Sequence, residues 1–386
     1  MIIYILLICA AILLNIITSI WINKRILDMY YNKKMLREYV LYKFNFLHQY
    51  LQGVIVIISL LISAFAIAKI MGYIGVHKNR ILSLILVWAL IALLVILDQI
   101  ISHNTYKKIR DVQLTYWDEV DSTIRQLLTI FIPASIVIIG RAIIIGEYKE
   151  SELLQYFVWV GFVILAGMFY PYIVKLLLKA KPLKDHELNR ELSKFLAEYS
   201  IHKVKIYEWP AMKGREANAF VTGLRGKYIF ISDYLIKNLN VDEIKAVLAH
   251  EIGHWKKWHL LIRIILILFI YPLMVLLGSI MDYIEKYIHI SIPFGILVAF
   301  SGLILYMYLI LAIIRNQEQS ADEYVIRSGI NVTIYISALL KIAELNNTVK
   351  RMSKLGEKLQ SHPPIDKRIE YLKRVSEEII DKKLRN

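Results

Sequence analysis

The segment HEIGH at 250 to 254 places residues that could bind and use a metal ion on one short stretch of chain. His250 and His254 are four residues apart, so on a helix both imidazoles lie on one face within reach of a single ion. Glu251 can address a water molecule bound to that ion. This spacing is typical of zinc hydrolases, and the alternative is a helix with two surface histidines. The one cysteine, Cys9, lies in an apolar segment, so metal ligands must be nitrogen and oxygen atoms.

A catalytic zinc needs a third protein ligand, and two residues are candidates. His259 lies five residues after His254, about 140° further around a continuous helix, so it should point off the ligand face. We interpret it as a histidine at the membrane interface. Glu318 is the better candidate because two apolar legs of about 28 residues, each about 42 Å as helix, separate it from His254. A helical hairpin across the bilayer would return Glu318 to the level of His254.

Two further groups could complete such a site. Asp322, four residues after Glu318, shares its helix face and suits a carboxylate that orients a ligating histidine. The segment SHPPIDKRI at 361 to 369 supplies His362 and Arg368 as donors to an oxyanion. The alternatives are a solvated helix start for the acidic pair and a simple turn before the last helix for the histidine.

Zinc on His250, His254 and Glu318 would support hydrolysis of a peptide bond without a covalent intermediate. The ion would lower the pKa of a bound water toward neutrality. Glu251 would take the proton of that water and pass it to the departing amine. We therefore expect one zinc ion per chain.

The rest of the chain predicts a membrane protein. Of 386 residues, 57% are hydrophobic, and the mean hydropathy is +0.51, which is too apolar for an ordinary soluble protein. Apolar runs of about 18 or more residues predict about seven membrane-spanning helices. These runs are 2 to 22, 51 to 75, 81 to 102, 127 to 146, 154 to 178, 260 to 282 and 290 to 314.

The distribution of basic residues predicts the orientation of these spans. Ten basic residues follow the first and third spans, namely Lys24, Arg25, Lys33, Lys34, Arg37, Lys43, Lys107, Lys108, Arg110 and Arg125. The loops on the other side carry few, so the N-terminus is predicted outside and the polar segments 179 to 259 and 315 to 386 in the cytoplasm. The net charge of +15 is thereby explained by topology, and we predict no nucleic-acid partner.

The polar segments predict a small α+β unit. An amphipathic helix should begin soon after Pro182, and two β-rich arms, 218 to 222 and 227 to 232, should form a hairpin. A helix capped by Asn240 then carries the two histidines. The predicted organisation is a five-helix membrane region at 1 to 178, a catalytic segment at 179 to 259, a membrane hairpin at 260 to 314 and a catalytic and cap region at 315 to 386.

Four motifs together resemble one known family. NAFVTG at 218 to 223, HEIGHWKKWH at 250 to 259, EQSAD at 318 to 322 and SHPPIDKRI at 361 to 369 are similar to those of the zinc-dependent CAAX prenyl endopeptidases, whose relatives include HtpX-type membrane proteases. The resemblance is close over 180 to 375. Five spans before the catalytic segment favour the prenyl-protease branch.

The resemblance implies a fold and roles for particular residues. It implies a mainly α integral membrane protein in which seven helices enclose a water-filled chamber, capped by a small α+β zincin domain of the gluzincin type. The positions matching Asn218, His362 and Arg368 would hold the substrate backbone or the transition state. The strand beginning at Asn218 would bind a peptide as an additional strand.

The sequence thus predicts a membrane-integrated zinc metalloendopeptidase that acts on C-terminal CAAX-like or other membrane-associated peptides, lipidated or not. Residue usage hints at a bacterial source, so we expect the inner membrane with a cytoplasmic catalytic domain, or the endoplasmic reticulum membrane in a eukaryote. The alternatives are an HtpX-like quality-control protease of broad specificity and a transporter or lipid-binding protein with a structural zinc.

Overall fold

A computed structural model describes residues 1 to 75, 80 to 145, 152 to 223, 228 to 287 and 292 to 385. Helices dominate these residues and one small four-stranded sheet accompanies them, which confirms the predicted fold class. The chain divides into two units. Unit 1 comprises 1 to 134, 211 to 215 and 345 to 349, and unit 2 comprises 135 to 210, 216 to 344 and 350 to 386.

Unit 1 is built mainly from membrane helices. Its elements are α1 (Ile2–Tyr31), α2 (Arg37–Phe46), a π-helix (Leu47–Gln52), α3 (Gly53–Tyr73), α4 (Arg80–Arg110) and the first part of α5 (Tyr116–Ile145). Helices α1, α3 and α4 pack against one another. Asn15 Nδ2 donates to Ser59 Oγ at 2.5 Å and Asn23 Nδ2 to Ser102 Oγ at 3.0 Å, contacts that hold apolar helices in register.

Six helices of the described residues are long and apolar enough to cross a membrane. They are Ile2–Tyr31, Arg37–Tyr73, Leu82–Arg110, Tyr116–Ile139, Tyr156–Leu177 and His259–Glu285. Each matches one of the predicted spans. The predicted seventh span, 290 to 314, begins outside the described residues and continues along a helix at Ile292–Arg327.

Unit 2 contains the sheet. Its strands are β1 (Lys181–Pro182), β2 (Lys205–Trp209), β3 (Ala219–Thr222) and β4 (Tyr228–Ser232), in the order β1-β2-β4-β3. Strands β3 and β4 pair antiparallel, so the predicted hairpin is confirmed, while its turn at 224 to 227 lies outside the described residues. β4 is central, and three consecutive apolar residues in it are fully buried: Ile229, Phe230 and Ile231.

Unit 2 also contains nine helices of the described residues. They are α6 (Glu152–Leu177), α7 (His186–Glu198), α8 (Asp233–Asn238), α9 (Val241–Lys256), α10 (His259–Glu285), α11 (Ile292–Arg327), α12 (Val332–Leu345), α13 (Lys354–Leu359) and α14 (Ile365–Arg385). Of these, α8 packs on β4 and α9 packs on β3. Asn240 caps α9 as predicted. Its side chain accepts from the Glu243 N–H at 2.8 Å, and Glu243 accepts in return from the Asn240 N–H at 3.0 Å.

The helix that carries the histidines does not run unbroken into the membrane span. α9 ends at Lys256, and α10 begins at His259 after Trp258, whose φ of 59° and ψ of 24° are left-handed. A left-handed residue breaks the helical hydrogen bonding and turns the chain. The assumption of a continuous helix from His254 to His259 was therefore wrong, and the ring of His259 does not lie where a continuous helix would put it.

Close packing between α9 and α11 depends on one glycine. A Cβ atom at Gly253 would lie 3.1 Å from Tyr324 Cβ and 3.2 Å from the Cα and O atoms of Ala321. Such distances are too short for a side chain without movement of the α11 backbone. Gly253 thus lets the histidine helix approach the helix that carries Glu318 and Asp322.

Candidate metal centre

Three side chains on α9 and α11 form a group that could hold a metal ion. His250, His254 and Glu318 each offer a ligand atom, and these atoms all lie within 4.8 Å of one another. His250 Nε2 is 3.4 Å from Glu318 Oε2, and His254 Nε2 is 3.3 Å from Glu318 Oε1. The structure therefore brings the predicted HExxH pair and the predicted third ligand together.

The electrostatics at this group favour a cation. Burial alone would raise the pKa of Glu318, but contacts from His250, His254 and His362 hold it well below its usual range. Burial alone would lower the pKa of His250, yet the carboxylates of Asp322 and Glu318 raise it to about 9. The raised pKa of His250 reports the negative potential of the two carboxylates beside it, and the lowered pKa of Glu318 keeps that ligand ionised. A metal dication would take the place of the protons that the histidines otherwise hold between these groups.

A buried network fixes the orientation of His250. Its Nδ1 lies 3.0 Å from Asp322 Oδ1 and 2.9 Å from the Tyr335 hydroxyl oxygen. The Tyr335 hydroxyl donates to Asp322 Oδ1 at 2.6 Å, which leaves its oxygen to accept from the Nδ1–H of His250. With the proton on Nδ1, the Nε2 lone pair of His250 is available to a metal.

Arg368 completes this network. Its Nε and Nη2 atoms donate to the two oxygens of Asp322 at 2.8 Å and 2.6 Å, and Nη2 also donates to Tyr335 at 2.9 Å. Burial would raise the pKa of Asp322, but the guanidinium of Arg368 holds it well below its usual range. Asp322 and Tyr335 are 0% and 1% exposed, so this is a desolvated, fully bonded set.

Substituting Tyr335 with phenylalanine tests this network. The variant removes the hydroxyl that bonds His250, Asp322 and Arg368, and keeps the ring that fills the core. We expect the protein to fold and to bind zinc about 10-fold more weakly, because loss of an outer-shell partner typically costs 10- to 100-fold in metal affinity. Competition with a chelator of known affinity measures this. Tyr234→Phe on α8 is the control, and equal zinc affinities for the two variants would contradict the assignment.

His254 is oriented by His259, which the sequence analysis placed elsewhere. The Nδ1 atoms of the two rings are 2.8 Å apart, and His259 is buried. As predicted, His259 is not one of the three ligand residues, but its expected orientation away from His254 was wrong. The left-handed conformation of Trp258 changes the direction of the chain and brings the ring of His259 next to that of His254. A proton shared between the two Nδ1 atoms leaves His254 Nε2 directed at Glu318.

The segment after α13 brings His362 to Glu318. His362 Nδ1 lies 2.8 Å from Glu318 Oε2, while its side chain is 63% exposed. Arg315 Nη1 donates to the carbonyl oxygens of Lys358 and Gln360 at 2.6 Å and 3.0 Å and so anchors this segment to α11. His362 is thus both next to the ligand group and open to a substrate.

The remaining predicted residues lie near α9 by chain position or packing. Glu251 follows His250 on α9 and is half-buried. Asn218 is exposed and immediately precedes β3, against which α9 packs. The Asn218 N–H donates to Ser232 Oγ at 3.0 Å, and the Ser232 N–H donates to the Asn218 carbonyl oxygen at 2.9 Å, so β4 fixes the backbone there.

Sequence reasoning missed Tyr335 and the contact of His259. Tyr335 lies 85 residues after His250 with no motif around it, so no local signal could have found it. His259 was visible within HEIGHWKKWH, but the left-handed conformation of a tryptophan has no sequence signature, because bulky residues rarely adopt it.

Comparisons of the sequence with known proteins identify one family and several relatives. A family model described as Peptidase family M48 matches residues 182 to 376. CAAX prenyl protease 1 of Saccharomyces cerevisiae is 37% identical over 106 residues, which cover 26% of this chain and 23% of that protein. A Protease HtpX homolog of Pyrococcus furiosus is 28% identical over 226 residues, which cover 50% of this chain and 74% of that protein.

The overall architecture also has a solved counterpart. The crystal structure of S. mikatae Ste24p superimposes with a TM-score of 0.63 at 19% identity, over 96% of this chain and 98% of that chain. At 19% sequence identity, this superposition shows that the two proteins share a fold. The sequence matches to the prenyl proteases of two yeasts and Arabidopsis thaliana span only 20% to 30% of those proteins.

The predicted resemblance to the CAAX prenyl proteases and HtpX homologues is confirmed, and the apolar helices indicate a multi-pass membrane protein. The matched region contains the whole ligand group and its supporting network, from Asn218 to Arg368. Because the family model covers half of the sequence, this chain belongs to Peptidase family M48.

Proposed function

We propose that this chain is a membrane-integrated, zinc-dependent endopeptidase. The observation that carries the proposal is the group of His250, His254 and Glu318 on two closely packed helices. Membership of a peptidase family supports the reaction class, and the residues support the metal.

The donor set fits zinc. Two imidazoles and one carboxylate are the ligands of many catalytic zinc sites, which keep one position for water or substrate. His250 and His254 use their Nδ1 atoms in the protein, with Asp322 and His259, so both present Nε2. When bound, zinc would act as a Lewis acid and would activate water at neutral pH.

The residues around the metal would then have separate roles in the reaction. Glu251 is the general base that takes the proton from water and delivers it to the departing amine. His362 donates to the developing oxyanion from the exposed side of Glu318. Asn218 and β3 hold the peptide as an added strand. Arg368 is engaged by Asp322 and Tyr335, so we assign it a positioning role rather than direct contact with the oxyanion.

The substrate that we propose is a peptide close to the C-terminus of a membrane-associated protein. Five apolar helices before the sheet and the fold of Ste24p favour a reaction like that of the relatives named CAAX prenyl proteases. A second candidate is the HtpX-like protease of broad specificity that the sequence resemblance implies, favoured by the match to 74% of the Pyrococcus furiosus protein. We propose that the catalytic unit lies on the cytoplasmic side of its membrane, and the basic residues in the loops after the first and third spans support this orientation.

Metal removal tests the proposed reaction. Treating the purified protein in detergent with 1,10-phenanthroline should abolish cleavage of a fluorogenic peptide, since no group of the chain replaces the Lewis acid. One equivalent of Zn²⁺ should restore cleavage, and Mg²⁺ should not. Cleavage that persists without metal would refute the proposal.

Paired peptides separate the two substrate classes. A farnesylated peptide and its unlipidated counterpart with the same residues should be compared by kcat/KM. A preference for the lipidated peptide supports the prenyl-protease reaction. Equal values, together with cleavage of an unfolded membrane protein, support the HtpX-like reaction.

A further inference from the structure

Arg263 is a charged residue in an otherwise apolar stretch of membrane helix. It lies four residues after the start of α10, within a span whose mean hydropathy reaches 2.8. Arginine is costly inside an apolar span unless it meets a polar partner or water. Arg263 therefore needs a polar partner, and its partners are Gln317 and the proposed ligand Glu318.

Two contacts join Arg263 to α11. Its Nε donates to Gln317 Oε1 at 2.9 Å, and its Nη2 lies 3.6 Å from Glu318 Oε1. Gln317 is 5% exposed, so this hydrogen bond is shielded from water. The planar guanidinium thus contacts two consecutive residues of α11, one of which is the carboxylate ligand.

The Nη2 atom of Arg263 has a hydrogen-bonding capacity that the protein leaves open. It is buried and has no hydrogen-bond partner among the described residues. A buried donor without an acceptor is costly, and the Glu318 carboxylate is the acceptor at ion-pair distance. A small movement of either side chain would complete a charge-assisted hydrogen bond.

Both oxygens of Glu318 have basic side chains within ion-pair distance. Oε2 is contacted by His250 and by His362 at 2.8 Å, and His362 comes from an exposed segment. Oε1 is contacted by His254 at 3.3 Å and by Arg263. Arg263 is the permanently charged partner of this carboxylate within the described residues, because arginine stays protonated in proteins.

We infer that Arg263 is a positioning residue that holds Glu318 in ligand geometry from the membrane helix. The inference rests on the proposed function. Through Gln317 and the Glu318 carboxylate, the guanidinium ties the first turns of α10 to α11 at the ligand itself. The membrane span thereby supports the metal site directly, in addition to carrying the chain across the bilayer.

Zinc affinity is the measurement that tests this role. Arg263→Gln should weaken zinc binding by about 10- to 100-fold in a chelator competition, because loss of a residue that orients a metal ligand has effects of this size. At saturating zinc, KM for a peptide should stay unchanged. Lys256→Gln removes the same charge from an exposed residue near the end of α9 and should bind zinc as the unaltered protein does.

Arg263→Lys keeps the proposal testable if Arg263→Gln does not fold. Lysine retains the charge but lacks the Nε–H that bonds Gln317 and the fork that spans two acceptors. It should therefore bind zinc more weakly than the unaltered protein, and unaltered affinity would overturn the inference.

Two other outcomes have distinct meanings. Arg263→Gln with unaltered zinc affinity, but weaker peptide binding when combined with Glu251→Gln, would overturn positioning and identify Arg263 as a substrate contact. If the unaltered protein bound no zinc, the proposed function itself would fail, and the inference with it. If zinc bound but no peptide were cleaved, the inference would stand on the affinities while the peptidase reaction failed.

Discussion

Replacing Glu251 with glutamine is expected to lower the rate of peptide hydrolysis by about 10²- to 10⁴-fold. The amide has nearly the same shape as the carboxylate but cannot take a proton from water. Glu251 lies outside the ligand group of His250, His254 and Glu318, so zinc should remain bound. Zinc content and melting temperature should match those of the unaltered protein.

The measurement is kcat with a fluorogenic peptide in detergent, together with zinc per chain by elemental analysis. Glu187→Gln, at an exposed carboxylate in the first turn of α7, is the matched control and should retain full activity. A Glu251→Gln protein that lost zinc would show that Glu251 supports the metal. One that kept full activity would remove Glu251 from the mechanism.

Removing Asp322 should have the largest effect on stability. Asp322 is 0% exposed and neutralises the buried guanidinium of Arg368 through two hydrogen bonds. Asp322→Ala leaves that charge without a counterion, which typically costs about 3 to 5 kcal/mol when a buried pair is broken. It also removes the carboxylate that orients the ring of His250, so zinc affinity should fall by about 10- to 100-fold.

A double variant separates the two effects. Asp322→Leu with Arg368→Met removes both charges and fills the space with apolar atoms, so the free energy of unfolding should recover toward that of the unaltered protein. Zinc affinity should stay low, because the carboxylate partner of His250 Nδ1 is still missing. Thermal unfolding and chelator competition measure the two quantities. A double variant as unstable as Asp322→Ala would argue against an unpaired charge as the cause.

The ligand group was predictable from the sequence because two geometric rules, helical periodicity and helix length, depend only on residue spacing. The helical period places His250 and His254 on one face. Two apolar legs of equal length that cross the bilayer and return bring Glu318 to the level of these histidines. The close approach that Gly253 allows between the two helices was found only in the structure. The hairpin of β3 and β4 followed from its two β-rich arms, and six spans followed from apolar length alone.

The supporting contacts were not predictable for a different reason. Tyr335 and Arg368 reach Asp322 across 13 and 46 residues of chain, and such pairing depends on how α11, α12 and α14 pack. The sequence motif indicated that Arg368 belongs to the site but did not indicate which group its guanidinium contacts. A contact in unit 1 was unpredictable for the same reason: His48 Nδ1 lies 3.1 Å from Asp98 Oδ2 inside apolar spans, and this pairing depends on how those helices pack.

The sheet order has a consequence for the shape of any substrate. β3 has a strand neighbour on one side only in the described sheet, and it is four residues long. At 3.3 Å per residue, a substrate chain that paired with the other side of β3 would form backbone hydrogen bonds over about 13 Å. A folded helix or a tight turn cannot present that length of extended backbone. The protein would therefore bind substrates according to local unfolding, so that chain termini and unfolded segments could pair with β3 and intact domains could not.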